Sequence, residues 1–257
     1  MLSVTPKLVA FDLDGTLTES KQSMEAPIGE LLRKLLEKMP VAIMSGASFE
    51  QFKKQFLPGF PLGVDFDHLY LFPDNAAQSF SLKNGVWGER YNYLFTDGER
   101  RKILEAFEVA LGEVGLSEAQ GQTWGERIED RGAQFTFSAL GQKAPLYAKR
   151  DWHGRYDNMR NSLSHALAKS LPEFSVEAGG LTSVDVTRKG MTKAYGIQEL
   201  SKLTDIPISD MLYIGDALEE GGNDAVVKET GIPTLAVSGP EETVTVIEEI
   251  LARSSPL

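Results

Sequence analysis

The sequence predicts an α/β fold in which a core domain with a parallel sheet is interrupted by an inserted α+β domain. Short apolar segments alternate with segments of helical periodicity at both ends of the chain, as in strand-helix-strand units. Between them the pattern changes to alternating strands and longer helices. We therefore expect a core in two parts, residues 1–84 and 187–257, and an inserted domain at residues 85–186.

The first part of the core begins with "KLVAFDL", a short run that predicts a buried strand ending before Gly15. "APIGELLRKLLEKM" has apolar residues at helical spacing and Pro27 in its first turn. "VAIMSGAS" predicts a second buried strand, and "SFEQFKKQF" a second helix. Repeated strand-helix units imply a parallel sheet, and in such sheets functional groups collect beyond the carboxyl ends of the strands.

A hairpin is predicted in "SFSLKNGVWGERY", and the predicted inserted domain begins within it. The helical "RRKILEAFEVALGEVG", the alternating "AQFTFSALG", the helical "MRNSLSHALAKSL" and the strand-like "FSVEAGGLTSVDVT" make up an α+β unit. The alternation of helices and strands typical of the core then resumes with the helix "TKAYGIQELSKLT" and the strand "MLYIGDA", which ends at Asp216. A helix at "NDAVVKETG", a strand at "PTLAVS" and a final helix at "EETVTVIEEILARS" complete it.

Composition limits the classes of partner and chemistry. The chain has 257 residues and a net charge of −11 without a basic run, which argues against nucleic acid or an anionic membrane as partner. It has no cysteine and three histidines, so thiolate and imidazole metal sites are not expected. No leader segment and no apolar run approaching membrane-spanning length is seen, and we expect a cytoplasmic protein.

Two carboxylates at the end of the first strand carry the first functional signal. Strand alternation would place Asp12 and Asp14 on one face, where their repulsion calls for a cation or a proton between them. A hard divalent ion, most plausibly Mg²⁺, fits oxygen ligands, and Asp216 and Asp224 can add further carboxylates. The alternative is that one aspartate caps a helix while the other begins a turn at Gly15.

The aspartates are accompanied by further motifs in sequence order: "SGAS" at Ser45, Lys193 in "RKGMTKAYG", and "GDALEEGGND". In these motifs the chain resembles phosphotransferases of the haloacid dehalogenase superfamily. The resemblance implies that Asp12 is the nucleophile and Asp14 the general acid/base. It also implies that Ser45, with the adjacent Gly46, binds the transferring phosphoryl group, and that Lys193 offsets its charge. The implied Mg²⁺ ligands are Asp12, Asp14, Asp216 and Asp224.

The position of the insert resembles the type IIB cap of that superfamily, on a Rossmann-like core. Within this class the chain is most similar to the eukaryotic-type phosphomannomutases, in "DGTLTESKQ", "SGASFEQFKKQ", "LFPDNA" and the long "GDALEEGGND". The substrate contacts implied by matching positions are Lys21, Arg131, Gln142, Ser183 and Asp185, with a further basic position at Lys149 or Arg150. Lys21 and Gln142 stand where those mutases carry arginine, and neither replaces its bidentate fork on a phosphate.

The function we predict is a Mg²⁺-dependent phosphotransferase acting through an aspartyl-phosphate on a small phosphate ester, for which we expect a sugar phosphate. Loss of cap cations favours a phosphatase, with a phosphomannomutase-like hexose phosphate mutase as the alternative. A catalytically idle phosphosugar-binding protein is the third interpretation, against which the complete motif set argues. A homodimer that pairs through the cap is compatible with the sequence.

Overall fold

The computed structural model describes residues 5–19, 22–83 and 85–254. The chain divides into two compact units, one formed by Met1–Tyr91 with Thr192–Leu257 and the other by Asn92–Met191. The second unit therefore spans 92–191 rather than the predicted 85–186. The difference arises because the strand Val86–Asn92, which lies within the predicted insert, pairs with the sheet of the first unit.

The first unit is built on a mixed sheet of seven strands in the described ranges, in the order β11-β10-β1-β2-β3-β4-β5. Its strands are β1 (Leu8–Asp12), β2 (Val41–Met44), β3 (Leu69–Phe72), β4 (Gln78–Lys83), β5 (Val86–Asn92), β10 (Met211–Gly215) and β11 (Thr234–Ala236). β1 pairs in parallel with both β2 and β10, and β4 runs antiparallel to β3. The carboxyl ends of β1, β2 and β10 consequently lie side by side.

The helices of the first unit are α1 (Ala26–Leu36), α2 (Phe49–Gln51), α5 (Lys193–Thr204) and α6 (Pro240–Arg253). α2 is a single turn capped by Ser48, and the chain continues as a π-helical turn over Phe52–Phe56. The predicted helix at "NDAVVKETG" is a 3₁₀ helix, Ala225–Thr230. Across the described ranges, no helix of either unit has the length and apolar character needed to cross a bilayer.

The core of the first unit lies on both faces of its sheet. Val9 and Phe11 of β1 pack in the cluster that includes α1 and α6, whereas Leu8 and Ala10 pack in the cluster that includes α5. Burying one such side chain contributes about 1.5–3 kcal/mol relative to leaving it exposed. By the same alternation Asp12, the last residue of β1, projects to the face on which α5 packs.

The second unit is a four-stranded antiparallel sheet with two helices, in the described residues. Its strands are β6 (Ile128–Asp130), β7 (Gln134–Ser138), β8 (Phe174–Gly179) and β9 (Ser183–Arg188), in the order β6-β7-β9-β8. Phe135 and Phe137 of β7 face the apolar cluster shared with α3 (Asp97–Glu113) and α4 (Leu146–Ser170). The alternate residues of β7 are polar, so the sheet has one apolar and one polar face.

Two elements of the second unit differ from prediction. α4 begins at Leu146, well before the predicted "MRNSLSHALAKSL", because its first half carries few apolar residues that would have revealed the helical period. The stretch "FSVEAGGLTSVDVT" forms two paired strands, with Gly180 in the left-handed region at φ 48° in the turn between them.

Candidate active site

The first component of the site is the loop that follows β1. Asp12 ends the strand and is only 3% exposed. Gly15 turns the chain with φ 85°, and its amide donates to the Thr18 carbonyl at 2.7 Å. A Cβ at Gly15 would lie 2.3 Å from Oδ2 of Asp216. Glycine is therefore required here twice, by the left-handed backbone and by the neighbouring carboxylate.

The second component is the loop after β10, which brings two more carboxylates to the end of β1. Asp216 directly follows the strand, and its Oδ1 lies 3.4 Å from the Thr16 hydroxyl. The loop returns at Asp224, whose Oδ2 accepts from the Ala217 amide at 3.3 Å. A Cβ at Gly215 would lie 2.4 Å from that same Oδ2. The glycines of both loops thus leave room for carboxylates.

The third component is Lys193, the first residue of α5. The Thr192 side chain caps this helix by accepting from the Tyr195 amide at 3.4 Å. Lys193 Nζ lies 2.6 Å from Oδ1 of Asp12 and 2.6 Å from Oδ1 of Asp224, and its side chain is 2% exposed. One ammonium group therefore joins the end of β1 to the loop that follows β10 through buried ion pairs.

The electrostatics of this cluster favour a further positive charge. Burial raises the pKa of Asp12 well above its ordinary range, and the charge of Asp224 adds to this although Lys193 opposes it. Burial and then Asp224 also raise the pKa of Asp216. Burial alone would lower the pKa of Lys193, but Asp12 and Asp224 outweigh it and the pKa is raised. The lysine thus stays charged, and among the described residues it is the cation that contacts this group of three carboxylates.

Oxygen atoms of Asp12, Asp216 and Asp224 all lie within 4.8 Å of one another. Hard oxygen donors at this spacing, with space cleared by Gly15 and Gly215, suit a divalent cation such as Mg²⁺. Asp14 is not a member of this group. Because β1 ends at Asp12 and the chain turns at Gly15, strand alternation does not extend to Asp14, which pairs instead with Thr18 in an isolated bridge.

Tyr213 is a further buried member of the site, and it is not among the residues predicted from the sequence. Its hydroxyl lies 2.5 Å from Oδ1 of Asp224. Burial, followed by the charges of Asp224 and Asp12, raises the pKa of Tyr213, so the phenol keeps its proton and donates it in this hydrogen bond. The signal that could have found it is a tyrosine in an otherwise apolar buried strand, since a buried phenol normally has a polar partner.

Ser45 directly follows β2, whose last residue Met44 is in register with Asp12. Its side chain is 2% exposed, and its Oγ accepts from the Ala47 amide at 3.0 Å. Gly46 is half-buried between these two residues. The structure thus places the predicted phosphoryl-binding loop at the end of the strand adjacent to that of Asp12.

A strained turn after β3 donates backbone hydrogen bonds to the Ser45 loop. Asp74, Asn75 and Ala76 have φ values of 50°, 54° and 64°, a left-handed run that is unfavourable for residues other than glycine. The Asn75 amide donates to the Ser45 carbonyl at 2.9 Å, and the Asp74 amide donates to the Ala47 carbonyl at 3.0 Å. This turn lies in "LFPDNA", a motif of the family resemblance that by itself predicts no structural role.

The second unit contains the other predicted substrate residues. Arg131 is 6% exposed, and its Nε donates to Glu129 at 2.8 Å. Its guanidinium also lies 3.4 Å from Oε1 of Gln142, whose own amide donates to the Thr136 carbonyl at 3.3 Å. The structure thus brings Arg131 and Gln142 together, with an acidic side chain already paired to the arginine.

Ser183 and Asp185 lie on β9, in register with Ser138 and Thr136 of β7. They occupy the polar face of that sheet, because Val184 between them packs in the apolar cluster. Of the two further basic candidates, Lys149 is buried and Arg150 is exposed. Lys21 lies outside the described residues.

The family model of the eukaryotic phosphomannomutases matches residues 28–253 of this chain. The chain belongs to that family. Among its relatives, the phosphomannomutase of Babesia bovis is 25% identical over 257 residues, covering 96% of this chain and 99% of the relative. The phosphomannomutase of Saccharomyces cerevisiae is 26% identical over 250 residues, covering 95% and 93%.

Solved structures show the same haloacid dehalogenase fold as this phosphomannomutase-family chain. A truncated IMP-nucleotidase of Plasmodium falciparum has a TM-score of 0.69 at 21% identity and covers 96% of this chain and 71% of its own. The C-terminal domain of the C. albicans trehalose-6-phosphate phosphatase has a TM-score of 0.64 at 16% identity, with coverages of 96% and 92%. Family and fold together identify a metal-dependent enzyme, either a phosphomutase or a phosphatase, in agreement with the sequence prediction.

Proposed function

We propose that this enzyme is a Mg²⁺-dependent phosphatase of a small phosphorylated sugar, working through phosphorylated Asp12. The observation that carries the proposal is the placement of Asp12: it is buried, ends the interior strand β1, and has Oδ1 held by Lys193 at 2.6 Å. Because the lysine holds Oδ1, we assign the attack on phosphorus to Oδ2. A fixed carboxylate of this kind splits phosphoryl transfer into two displacements.

Asp12, Asp216 and Asp224 would hold the Mg²⁺ ion, since their oxygens lie within 4.8 Å of one another. When bound, Mg²⁺ supplies positive charge that offsets the phosphoryl oxygens and the carboxylates. Lys193 contributes charge from the chain itself. We assign the Ser45 hydroxyl and the Gly46 amide to the phosphoryl oxygens, because the Ala47 amide donates to Ser45 Oγ and leaves the hydroxyl proton available to a ligand.

We assign Asp14 as the general acid and base. In the first displacement Asp12 forms a bond to phosphorus, the bond from phosphorus to the sugar oxygen breaks, and Asp14 gives that oxygen a proton. In the second, water attacks the phosphorus, Asp14 takes its proton, and the bond to Asp12 breaks to release inorganic phosphate. Its position outside the carboxylate cluster suits Asp14 for this role, because a metal-bound carboxylate would be a poor proton carrier.

We assign the remote groups of the substrate to Arg131, Gln142, Ser183 and Asp185, with Lys21 as a further cation. The choice of phosphatase over mutase rests on Arg131 and Gln142. A mutase must bind a second phosphate firmly, but Arg131 is already paired with Glu129, and Gln142 offers no charge. Water therefore serves as the acceptor for the phosphoryl group. The names of the relatives support the alternative, a hexose phosphate mutase.

³¹P NMR of the purified enzyme tests both functions. The enzyme is incubated with Mg²⁺ and hexose 1-phosphates, with and without a catalytic amount of hexose 1,6-bisphosphate. Growth of the inorganic phosphate signal without bisphosphate is the expected result. Bisphosphate-dependent conversion to the 6-phosphate would establish the mutase instead. The Asp12→Asn variant is the control for a contaminating enzyme, and full activity in that variant would contradict the assignment of the nucleophile.

A further inference from the structure

Tyr213 is an uncharged polar side chain of β10 that contacts the carboxylate cluster. It lies in the middle of β10 with no exposed surface, in the apolar cluster shared with α5. Its hydroxyl donates to Oδ1 of Asp224 at 2.5 Å. A phenylalanine would fill the same volume, so packing alone does not explain a hydroxyl at this position.

The two oxygens of Asp224 have different partners. Oδ1 accepts from Tyr213 and from Lys193 Nζ, the latter at 2.6 Å, which together use both of its lone-pair directions. Oδ2 accepts only a longer bond from the Ala217 amide at 3.3 Å and lies over Gly215. Oδ2 therefore keeps acceptor capacity, whereas Oδ1 is fully engaged.

We propose that Tyr213 is a positioning residue for the metal site, acting by fixing Oδ1 of Asp224 so that Oδ2 is the oxygen left for the ion. The inference rests on the proposed Mg²⁺ site. The terminal torsion of an aspartate is soft, and without Tyr213 the Lys193 contact to Oδ1 and the long Ala217 contact of 3.3 Å to Oδ2 would define the carboxylate plane less firmly. Two donors from different elements, β10 and α5, do define it.

The effect of losing the hydroxyl can be estimated from other metal sites. Removing an outer hydrogen bond to a metal ligand typically weakens metal binding by about 10–100-fold. Asp224 would retain Lys193 and the Ala217 amide in Tyr213→Phe, so we expect the low end of that range, about 10-fold. The substitution removes one oxygen atom and leaves no orphaned donor, so the fold should persist.

The test measures Mn²⁺ binding to the substrate-free full chain by the electron paramagnetic resonance signal of free Mn²⁺, with Mg²⁺ as competitor. Tyr213→Phe should bind about 10-fold more weakly than wild type. Tyr91→Phe is the matched control. Its hydroxyl donates to the Ala76 carbonyl at 2.9 Å, and its loss should leave the Mn²⁺ affinity unchanged.

A second readout separates positioning of the metal ligand from a general loss of structure. With para-nitrophenyl phosphate, Tyr213→Phe should raise the Mg²⁺ concentration for half-maximal activity while the KM at saturating Mg²⁺ stays within about twofold of wild type. Equal Mn²⁺ affinity in Tyr213→Phe and wild type would overturn the inference but leave the proposed function intact. A wild-type protein that binds no Mn²⁺ would overturn both. A Tyr213→Phe chain that unfolds would show that the hydroxyl serves folding, and would also overturn it.

Discussion

The carboxylate cluster of the first unit and the polar sheet face of the second unit differ in the contacts made by their charged side chains. In the first, Lys193 joins Asp12 and Asp224 through two buried contacts of 2.6 Å. In the second, the partly buried Arg131 is paired with Glu129 and reaches Gln142 only at 3.4 Å. The comparison suggests that the reaction is set by a rigid, fully connected site, whereas substrate choice depends on a few adjustable side chains.

The strongest test of the first region removes its nucleophile. Asp12→Asn should lower turnover by a factor on the order of 10³ or more, because no other carboxylate is held by Lys193 at the end of β1 in the described residues. Initial rates of phosphate release measure the effect. Asp210→Asn is the matched control, since Asp210 precedes β10 at the opposite end of the strand and should retain activity. Comparable rates in Asp12→Asn and Asp210→Asn would mean that Asp12 is not the nucleophile.

Removing Lys193 tests how far the carboxylate cluster depends on the charge of this lysine. Lys193→Met leaves buried carboxylates without their counter-charge and should cost about 3–5 kcal/mol of the free energy of unfolding. Urea unfolding measures this, and added Mg²⁺ should recover part of it. Lys202→Met is the control, since its ion pair with Glu199 is 70% exposed on the lysine side and should contribute less than about 0.5 kcal/mol. Equal losses of unfolding free energy in the two variants would show that the buried ion pairs of Lys193 stabilise the fold no more than an exposed ion pair does.

The second region should respond by gaining function. Gln142→Arg would place a second guanidinium beside Arg131 and should lower the KM for a hexose bisphosphate by about 10-fold, as a bidentate phosphate contact would. Gln142→Lys should give a smaller gain, because an ammonium is a point charge. Bisphosphate-dependent mutase rates by ³¹P NMR provide the measurement.

The control for this charge change is Gln120→Arg. Gln120 lies in the same unit, and its half-buried side chain donates to the Gly115 carbonyl at 3.2 Å. The same added charge at this position should leave the KM unchanged. A decrease equal to that in Gln142→Arg would mean that net charge alone, rather than the Arg131 cluster, attracts the bisphosphate.

Sequence reasoning was effective where a strand end and a chemical motif coincide. Asp12, Asp216 and Lys193 were predicted to act together, and the structure brings them together because parallel strands end at one edge of a sheet. Asp14 was placed by extending strand alternation beyond the strand, which ends at Asp12. Periodicity describes regular elements, and it is not informative about the turn that follows.

Three other features could not be predicted from the sequence. The left-handed run at Asp74–Ala76 depends on φ values that residues other than glycine rarely adopt, so propensity could not reveal it. The contact of Tyr213 with Asp224 joins β10 to the far end of the loop that follows it. The boundary of the second unit also differed, because β5 reads equally well as the end of a hairpin or the start of an insert.

The smallest expected effect concerns the stability of the second unit at the start of α3. Glu99 completes a capping box with Thr96 and receives two bonds from Arg188. Burial tends to raise the pKa of Glu99, but the hydrogen bonds from Thr96 and Arg188 outweigh it and lower the pKa. Glu99→Gln keeps a residue that can complete the capping box but loses the carboxylate charge that faces Arg188, so it should cost up to about 1 kcal/mol at neutral pH.

The sign of the pH dependence follows from that lowered pKa. The contribution of ionised Glu99 is fully present above the pKa of the unfolded chain, about 4.3, and is lost as pH falls through the lower folded value. The gap between wild type and Glu99→Gln in urea unfolding should accordingly close on acidification. Glu105→Gln, at an exposed position of the same helix, should stay within about 0.5 kcal/mol of wild type throughout. A gap for Glu99→Gln that is independent of pH would mean that the amide disrupts packing at α3, and that the carboxylate charge is not what joins α3 to Arg188.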